Sequence, residues 1–237
     1  MARTRFVPVL VTVLVLVAAA GVLASCGGDA DEPADAQAAA TGEQKVTVAG
    51  DSISVGLGAS LRGVTPDGVV VKVIGEEGSG LARPDTFDWP TRLAELARDF
   101  PPTVLVLSLG SNDAQDLTTP DGEVVATMAD AEAWDAEYAA RLEAAVAPFA
   151  DTGTTVVWVG HVRTAEDPVA DGNRRIHELA TEVAAAHDHV EVADLAELLG
   201  TGDDEVAERC LEPDGLHLTV ACLDEAAAGL VDQLPLG

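Results

Sequence analysis

The chain has 237 residues, enough for one well-filled domain behind a leader segment. It carries 41 acidic against 13 basic residues, a formal net charge of −28 at pH 7. This charge argues against nucleic acid or an anionic membrane surface as an electrostatic partner. Because aromatic residues make up only 3% of the chain, aliphatic side chains must fill most of the core.

The first 25 residues have the pattern of a secretory signal peptide. Arg3 and Arg5 precede a long apolar stretch, which ends in the sequence LASC at Cys26. This tetrapeptide resembles the bacterial lipobox, in which the cysteine is lipidated and becomes the mature N-terminus. An ordinary cleaved signal and an uncleaved anchor helix are the alternatives. We therefore expect an exported protein, held as a lipoprotein at the outer face of the cytoplasmic membrane or else secreted.

The segment that follows is small, polar and acidic, as expected of a flexible tether. The predicted organisation is a lipoprotein signal peptide over residues 1–25, a lipid-anchored flexible linker over 26–44 and one domain over 45–237.

Within that domain, apolar runs typical of strands alternate with helical patterns. The predicted strands are Val46–Ala49, Val69–Ile74, Thr103–Ser108, Thr154–Gly160 and His189–Val192. The predicted helices are Asp88–Arg98, Trp134–Phe149, Asn173–His187 and Thr219–Gln233. The second of these helices has a face of large apolar side chains, with charged residues such as Arg141 placed elsewhere. Strands separated by helices predict a three-layer α/β/α sandwich with a parallel sheet, whose site lies beyond the carboxyl ends of the strands.

Polar residues capable of chemistry do follow the predicted strands. The segments Gly50–Ser52, Gly78–Gly80 and Gly110–Asp113 come after the first, second and third strands, and Asp214–His217 lies near the carboxyl end of the chain. Each has an ordinary explanation when taken alone, since such residues are common in turns. Ser52 in particular could be a simple helix cap or a nucleophile.

Together these residue types meet the needs of acyl transfer. Ser52 would be the nucleophile, His217 the base that removes its proton, and Asp214 the partner that fixes the histidine tautomer. The negatively charged intermediate needs hydrogen-bond donors. The backbone N–H groups of Ser52 and Gly80 and the side-chain amide of Asn112 could supply three.

The four segments resemble the hallmark blocks of the SGNH, or GDSL, hydrolase family over Val46 to about Leu234. The resemblance implies a flavodoxin-like sheet of five parallel strands, the same serine, histidine and aspartate as catalytic residues, and neither a cofactor nor a metal. Gly78 and Gly80 compete for the glycine block, and Gly80 is preferred because family members often have a Ser-Gly pair there. Asp51 and Asp113, within the blocks, are expected to support the site.

Three further features bear on the site. If Cys26 is lipidated, Cys210 and Cys222 remain as an even pair of cysteines in an exported protein. This predicts a disulfide that encloses the segment with Asp214 and His217. Two unpaired buried thiols are the alternative. Trp89 could stack on a sugar or line the acyl pocket, although it also fits the start of a helix. His161 could touch substrate or be a loop histidine with a local partner.

The leading functional hypothesis is a monomeric serine esterase that hydrolyses ester-linked acyl groups through an acyl-enzyme intermediate. O-acetyl groups of envelope glycans and small lipid esters are candidate substrates. The same site could instead pass the acyl group to a sugar hydroxyl, which would make the protein an O-acyltransferase. The third hypothesis is a noncatalytic surface lipoprotein that binds a glycan or a partner. The complete set of catalytic residue types counts against it.

Overall fold

The computed structural model describes residues 44–162, 170–200 and 202–236. The predicted signal peptide, nearly all of the predicted linker and Cys26 lie outside these residues. A parallel five-stranded sheet has the order β2-β1-β3-β6-β7. Its strands are β1 (Gln44–Gly50), β2 (Val69–Gly75), β3 (Val104–Ser108), β6 (Thr155–Val159) and β7 (Val190–Ala193).

Helices cover both faces of this sheet, which confirms the predicted three-layer sandwich. They are α1 (Ser52–Val64), α2 (Trp89–Asp99), α3 (Ala131–Val146), α4 (Ala170–Ala184), α5 (Leu195–Leu198), α6 (Asp203–Cys210) and α7 (Val220–Val231). Helices α2, α3 and α4 contribute to one hydrophobic core, and α1, α5, α6 and α7 contribute to the other.

The central strand β3 contributes side chains to both hydrophobic cores. All five of its residues are buried. Leu105 and Leu107 lie in one core, whereas Val104 and Val106 lie in the other, because successive side chains of a strand point to opposite faces. An unbroken apolar run is therefore the pattern required of this strand.

Two predicted helix starts agree in detail with the structure. The Asp88 side chain accepts a hydrogen bond from the backbone N–H of Thr91 at the start of α2. The Thr219 side chain accepts one from the backbone N–H of Cys222 at the start of α7. Both are N-caps of the usual kind.

The sequence patterns missed the shortest elements. An antiparallel pair, β4 (Leu117–Thr118) and β5 (Val124–Ala126), follows β3, and α5 and α6 follow β7. Strands of two or three residues and helices of four or eight residues are too short for a periodic pattern to stand out. Within the described part of the chain, none of the helices has the length and apolar character of a membrane span.

Candidate active site

Ser52 lies where β1 passes directly into α1. Gly50 has a φ of +142°, and a Cβ atom there would lie 1.8 Å from the backbone oxygen of Ser108 on the neighbouring strand. Only glycine fits both constraints. The close approach of the two strands fixes the turn that presents Ser52 at the carboxyl edge of the sheet.

The helix cap is Asp51 and not Ser52. The Asp51 side chain accepts a hydrogen bond of 3.0 Å from the backbone N–H of Ile53. The Ser52 hydroxyl is therefore not needed to satisfy the helix N-terminus. Its Oγ atom lies 2.8 Å from Nε2 of His217, although the two residues are 165 positions apart in the chain.

The other side of the His217 ring faces Asp214. Nδ1 of His217 lies 2.7 Å from Oδ2 of Asp214, and the second carboxylate oxygen, Oδ1, accepts backbone N–H groups from Leu216 and His217. These bonds, the one from the imidazole first, lower the pKa of Asp214 to about 2. An ionised carboxylate at Nδ1 favours the tautomer that carries its proton there, which leaves Nε2 to accept the serine proton.

A disulfide joins Cys210 at the end of α6 to Cys222 in the first turn of α7, as predicted. The intervening segment folds back on itself: the backbone N–H of Glu212 donates to the oxygen of His217, and that of Thr219 to the oxygen of Cys210. The Asp214 and His217 side chains are 51% and 43% exposed, so the pair is open to solvent. The disulfide thus closes the base of the loop that carries both residues.

Two of the three predicted oxyanion donors, Gly80 and Asn112, belong to loops that touch. The Asn112 amide nitrogen donates to the backbone oxygen of Ser79 at 3.0 Å and to the hydroxyl of Ser111 at 3.2 Å. Ser79 directly precedes Gly80. The Asn112 amide nitrogen has two hydrogens, and both are used in these bonds. To donate to an oxyanion, Asn112 must therefore give up one of the two.

Glycine is required at position 80 because there is no room for a side chain. A Cβ atom there would lie 2.0 Å from Oδ1 of Asp113. The steric limit at this position is the buried carboxylate behind the loop. Gly78 is exposed, and a Cβ atom there would meet nothing within 4 Å.

Asp51 and Asp113, the predicted supporting acids, are completely buried. Oδ2 of Asp51 accepts the Ser111 hydroxyl at 2.6 Å. The Asp113 carboxylate accepts the backbone N–H groups of Leu81 and Ala82 and the hydroxyl of Tyr138. Burial raises the pKa of Asp113 although these donors oppose the shift. Both acids tie the loops of the site together.

The Trp89 side chain is fully buried, which favours its structural role over the expected contact with substrate. Its Nε1 atom donates to the hydroxyl of Ser79, and its ring packs 4.7 Å from that of Phe87. The start of a helix, the alternative explanation, accounts for this residue. His161 is also mostly buried, with Nε2 3.8 Å from Oδ2 of Asp51, which supports the loop histidine with a local partner.

Sequence reasoning missed three side chains of α3 that contact the site loops: Trp134, Tyr138 and Arg141. Trp134 and Tyr138 belong to the apolar face that the sequence predicts for this helix, whereas Arg141 belongs to its charged residues. The Arg141 side chain is only 12% exposed and donates to the backbone oxygens of Leu81, Ala82 and Thr118. Among the described residues, no group of histidine, cysteine and acidic side chains could hold a metal ion.

The family model described as a protein of unknown function, DUF459, matches residues 45–225. No curated protein sequence matches the chain.

Several solved structures share the fold. The acetylxylan esterase Axe2 from Geobacillus stearothermophilus has a TM-score of 0.58 at 17% identity, over 82% of this chain and 95% of that one. The carbohydrate acetylesterase Est24 from Sinorhizobium meliloti has a TM-score of 0.53 at 16% identity, over 81% and 98%. The C-terminal catalytic domain of peptidoglycan O-acetyltransferase A from Streptococcus pneumoniae has a TM-score of 0.55 at 14% identity, over 80% and 91%. The chain therefore belongs to the DUF459 family, and its fold confirms the resemblance to the SGNH hydrolases that the four sequence blocks predict.

Proposed function

We propose that the protein is a serine esterase that cleaves ester-linked acyl groups through a covalent acyl-enzyme. The observation that carries this proposal is the continuous hydrogen-bonded line from Ser52 through His217 to Asp214, with distances of 2.8 and 2.7 Å. A serine hydroxyl is a poor nucleophile until a base removes its proton, and this line supplies the base already oriented.

The reaction follows from the positions of these groups. Ser52 Oγ attacks the acyl carbonyl carbon while its proton moves to Nε2 of His217. The imidazolium, stabilised by the Asp214 carboxylate, then gives this proton to the departing alkoxide, and the alcohol leaves. Water attacks the acyl-serine with His217 again as base, which releases the carboxylic acid and restores the hydroxyl.

The tetrahedral intermediates carry a negative charge on the former carbonyl oxygen. As the first residue of α1, Ser52 has a backbone N–H that no helical carbonyl can use, and the helix dipole favours negative charge at this end. The N–H of Gly80 and the amide of Asn112 are the other proposed donors. Each such donor is worth about 3 kcal/mol in comparable sites.

A small acyl group on a hydroxyl of a carbohydrate is the favoured substrate. Two structures of similar fold are a carbohydrate acetylesterase and an acetylxylan esterase, which supports acetyl esters. All three tryptophans and the single tyrosine of this chain are buried. A long platform of stacked aromatic rings is therefore a poor fit to the site, and we infer recognition of the ester itself with one or a few sugar units.

Acyl transfer to a sugar hydroxyl is the second candidate. The similarity in fold to the catalytic domain of a peptidoglycan O-acetyltransferase favours it. Transfer and hydrolysis share the acyl-serine and differ in whether a sugar hydroxyl or water attacks it. Adding an unacetylated oligosaccharide during turnover of 4-nitrophenyl acetate, and analysing the sugar by mass spectrometry, separates the two.

The proposed location is the outer face of the cytoplasmic membrane, through a lipid on Cys26. The LASC sequence carries this proposal, and the disulfide suits an exported protein. Replacing Cys26 by alanine should move the protein from the membrane fraction to the soluble fraction. A wild-type protein without lipid, by intact mass, would reject the anchor.

The nucleophile is tested with a serine-reactive phosphonate and peptide mass spectrometry. We expect the adduct on Ser52, and loss of labelling in His217→Ala. His187→Ala is the matched control, because His187 also pairs with an acid, Glu143 at 2.7 Å, and lies outside the site. Absence of labelling in a folded protein with its disulfide intact, or equal labelling in His217→Ala, would reject the assignment.

A further inference from the structure

We propose that Tyr138 is a positioning residue: through the Asp113 carboxylate, its hydroxyl holds the loop that presents the Gly80 oxyanion donor. This inference rests on the proposed function. It also gives α3 a role that neither the sequence blocks nor the fold assigns, which is to orient the two loops of the oxyanion hole.

The three side chains of α3 that contact these loops share one helical face. Trp134, Tyr138 and Arg141 are separated by steps of four and three residues, which places them one above the other. Trp134 and Tyr138 are fully buried, and their rings stack with centroids 4.7 Å apart and planes 9° apart. The polar tips of all three point at loop atoms and not at one another.

The Asp113 carboxylate links Tyr138 to Gly80. The Tyr138 hydroxyl donates to Oδ2 of Asp113 at 2.8 Å. The two carboxylate oxygens accept the backbone N–H groups of Leu81 and Ala82, each at 2.9 Å. Gly80 packs so tightly on this carboxylate that a Cβ atom would lie 2.0 Å from it. The orientation of the carboxylate therefore sets the position of the two peptide groups that directly follow Gly80.

Arg141 fixes the same loop from its carbonyl side. Nη1 donates to the backbone oxygens of Leu81 and Ala82, at 2.8 and 3.0 Å, and Nη2 to that of Thr118 at 2.7 Å. Nε donates to Glu137. With its donors committed to these oxygens, Arg141 acts as a brace for the loop and not as a receptor for an anionic substrate.

Trp134 holds the second loop. Its Nε1 atom donates to the backbone oxygen of Gln115 at 2.8 Å, and the Gln115 side chain donates to the backbone oxygen of Asn112. The Asn112 amide in turn donates to the oxygen of Ser79, which closes the connection between the two loops. One helix thus positions both the Gly80 N–H and the Asn112 amide without a side chain of its own in the site.

The test is Tyr138→Phe, assayed with 4-nitrophenyl acetate. The variant keeps the ring that stacks on Trp134 and loses only the hydroxyl, so the fold should persist. We expect kcat to fall about tenfold to a hundredfold, since a displaced oxyanion donor loses most of its effect, while KM changes less than about twofold. The rate of phosphonate labelling at Ser52 should fall by a similar factor.

Thr154→Val is the matched control. It also removes one buried hydroxyl, which donates to the backbone oxygen of Pro102 at 2.6 Å. Thr154 lies just before β6, at the amino end of that strand, whereas the site lies at the carboxyl ends of the strands. A comparable loss of stability with unchanged kcat is expected. Wild-type kcat in Tyr138→Phe, or an equal fall in kcat in Thr154→Val, would overturn the positioning role.

Tyr138 is the only tyrosine of the chain, so an alkaline titration of phenolate absorbance reports on this residue alone. Burial and the negative charge of Asp113 raise its pKa well above 10, and no phenolate should form before the protein unfolds. A phenol that titrates normally in the folded protein would overturn the contact. A wild-type protein inactive on all esters would overturn the proposed function and this inference together, whereas an active wild type with an unaffected Tyr138→Phe would overturn this inference alone.

Discussion

At the start of α1, Asp51 caps the helix and the neighbouring Ser52 contacts His217. Asp51 caps the helix through Oδ1 and receives the Ser111 hydroxyl on Oδ2, while Ser52 keeps its hydroxyl for His217. A serine that capped the helix itself would point its oxygen at backbone N–H groups. The Gly-Asp-Ser order thus has a physical reason at every position, since Gly50 is the only residue that the adjoining strand allows.

The two candidate glycines give a prediction at this scale. Gly80→Ala should lose both stability and kcat, because its Cβ atom collides with the Asp113 carboxylate. Gly78→Ala has open space but a φ of +71°, so it should cost about 1 kcal/mol of stability and leave kcat unchanged. Denaturant unfolding and ester hydrolysis measure the two effects. The reverse order of kcat losses would assign the donor to the Gly78 region.

The Asp214 carboxylate gives a prediction about pH. Its pKa falls from 3.8 to about 2 on folding, so it contributes stability above pH 3.8 that is lost as the pH falls through about 2. In Asp214→Asn that contribution is absent, and stability should fall less steeply over this window than in the wild type. Chemical denaturation from pH 5 to pH 2 gives the free energy of unfolding of both proteins as a function of pH. Equal slopes in the two proteins would contradict the lowered pKa of Asp214. The variant should also lose about 10⁴ in kcat at neutral pH.

Among the elements, the loop between α6 and α7 carries the proposed catalytic base and is closed by the disulfide. Reduction should lower the free energy of unfolding by about 3 kcal/mol, by the entropy of a short loop. It should also lower activity, since the freed loop no longer holds His217 against Ser52. Denaturation and ester hydrolysis with and without reductant measure both losses. Two free thiols in the folded, exported protein would contradict this prediction.

The elements also show what a sequence can reveal. The buried strand β3 was predictable because each apolar position lies against one of two helical layers, and the caps at Asp88 and Thr219 depend only on residues next to them. The contact of Arg141 with the site loops was not predictable, because the backbone oxygens that it binds there are 23 to 60 positions away and no local pattern encodes them. Trp89 was ambiguous for the same reason, since Ser79 and the surrounding core decide its burial.

The net charge of −28 should make the protein discriminate between anionic and neutral substrates. Anionic esters are repelled by the field of the protein, and salt screens that repulsion. We expect kcat/KM for an anionic acetyl ester to rise with ionic strength, whereas that for a neutral ester of similar size stays constant. The two salt profiles, measured side by side, check this, and parallel profiles would mean that the field does not reach the site.

The distance of 165 positions between Ser52 and His217 has a consequence for the order in which the site is assembled. The ribosome adds about 5 to 20 residues per second, so the serine emerges roughly 10 to 30 s before its base. During that interval the sheet can begin to form around β1 and β3 while the hydroxyl stays unreactive. The nascent chain therefore lacks the Ser52–His217 pair until late in synthesis, and the proposed activity starts only when the segment near its carboxyl end folds onto α1.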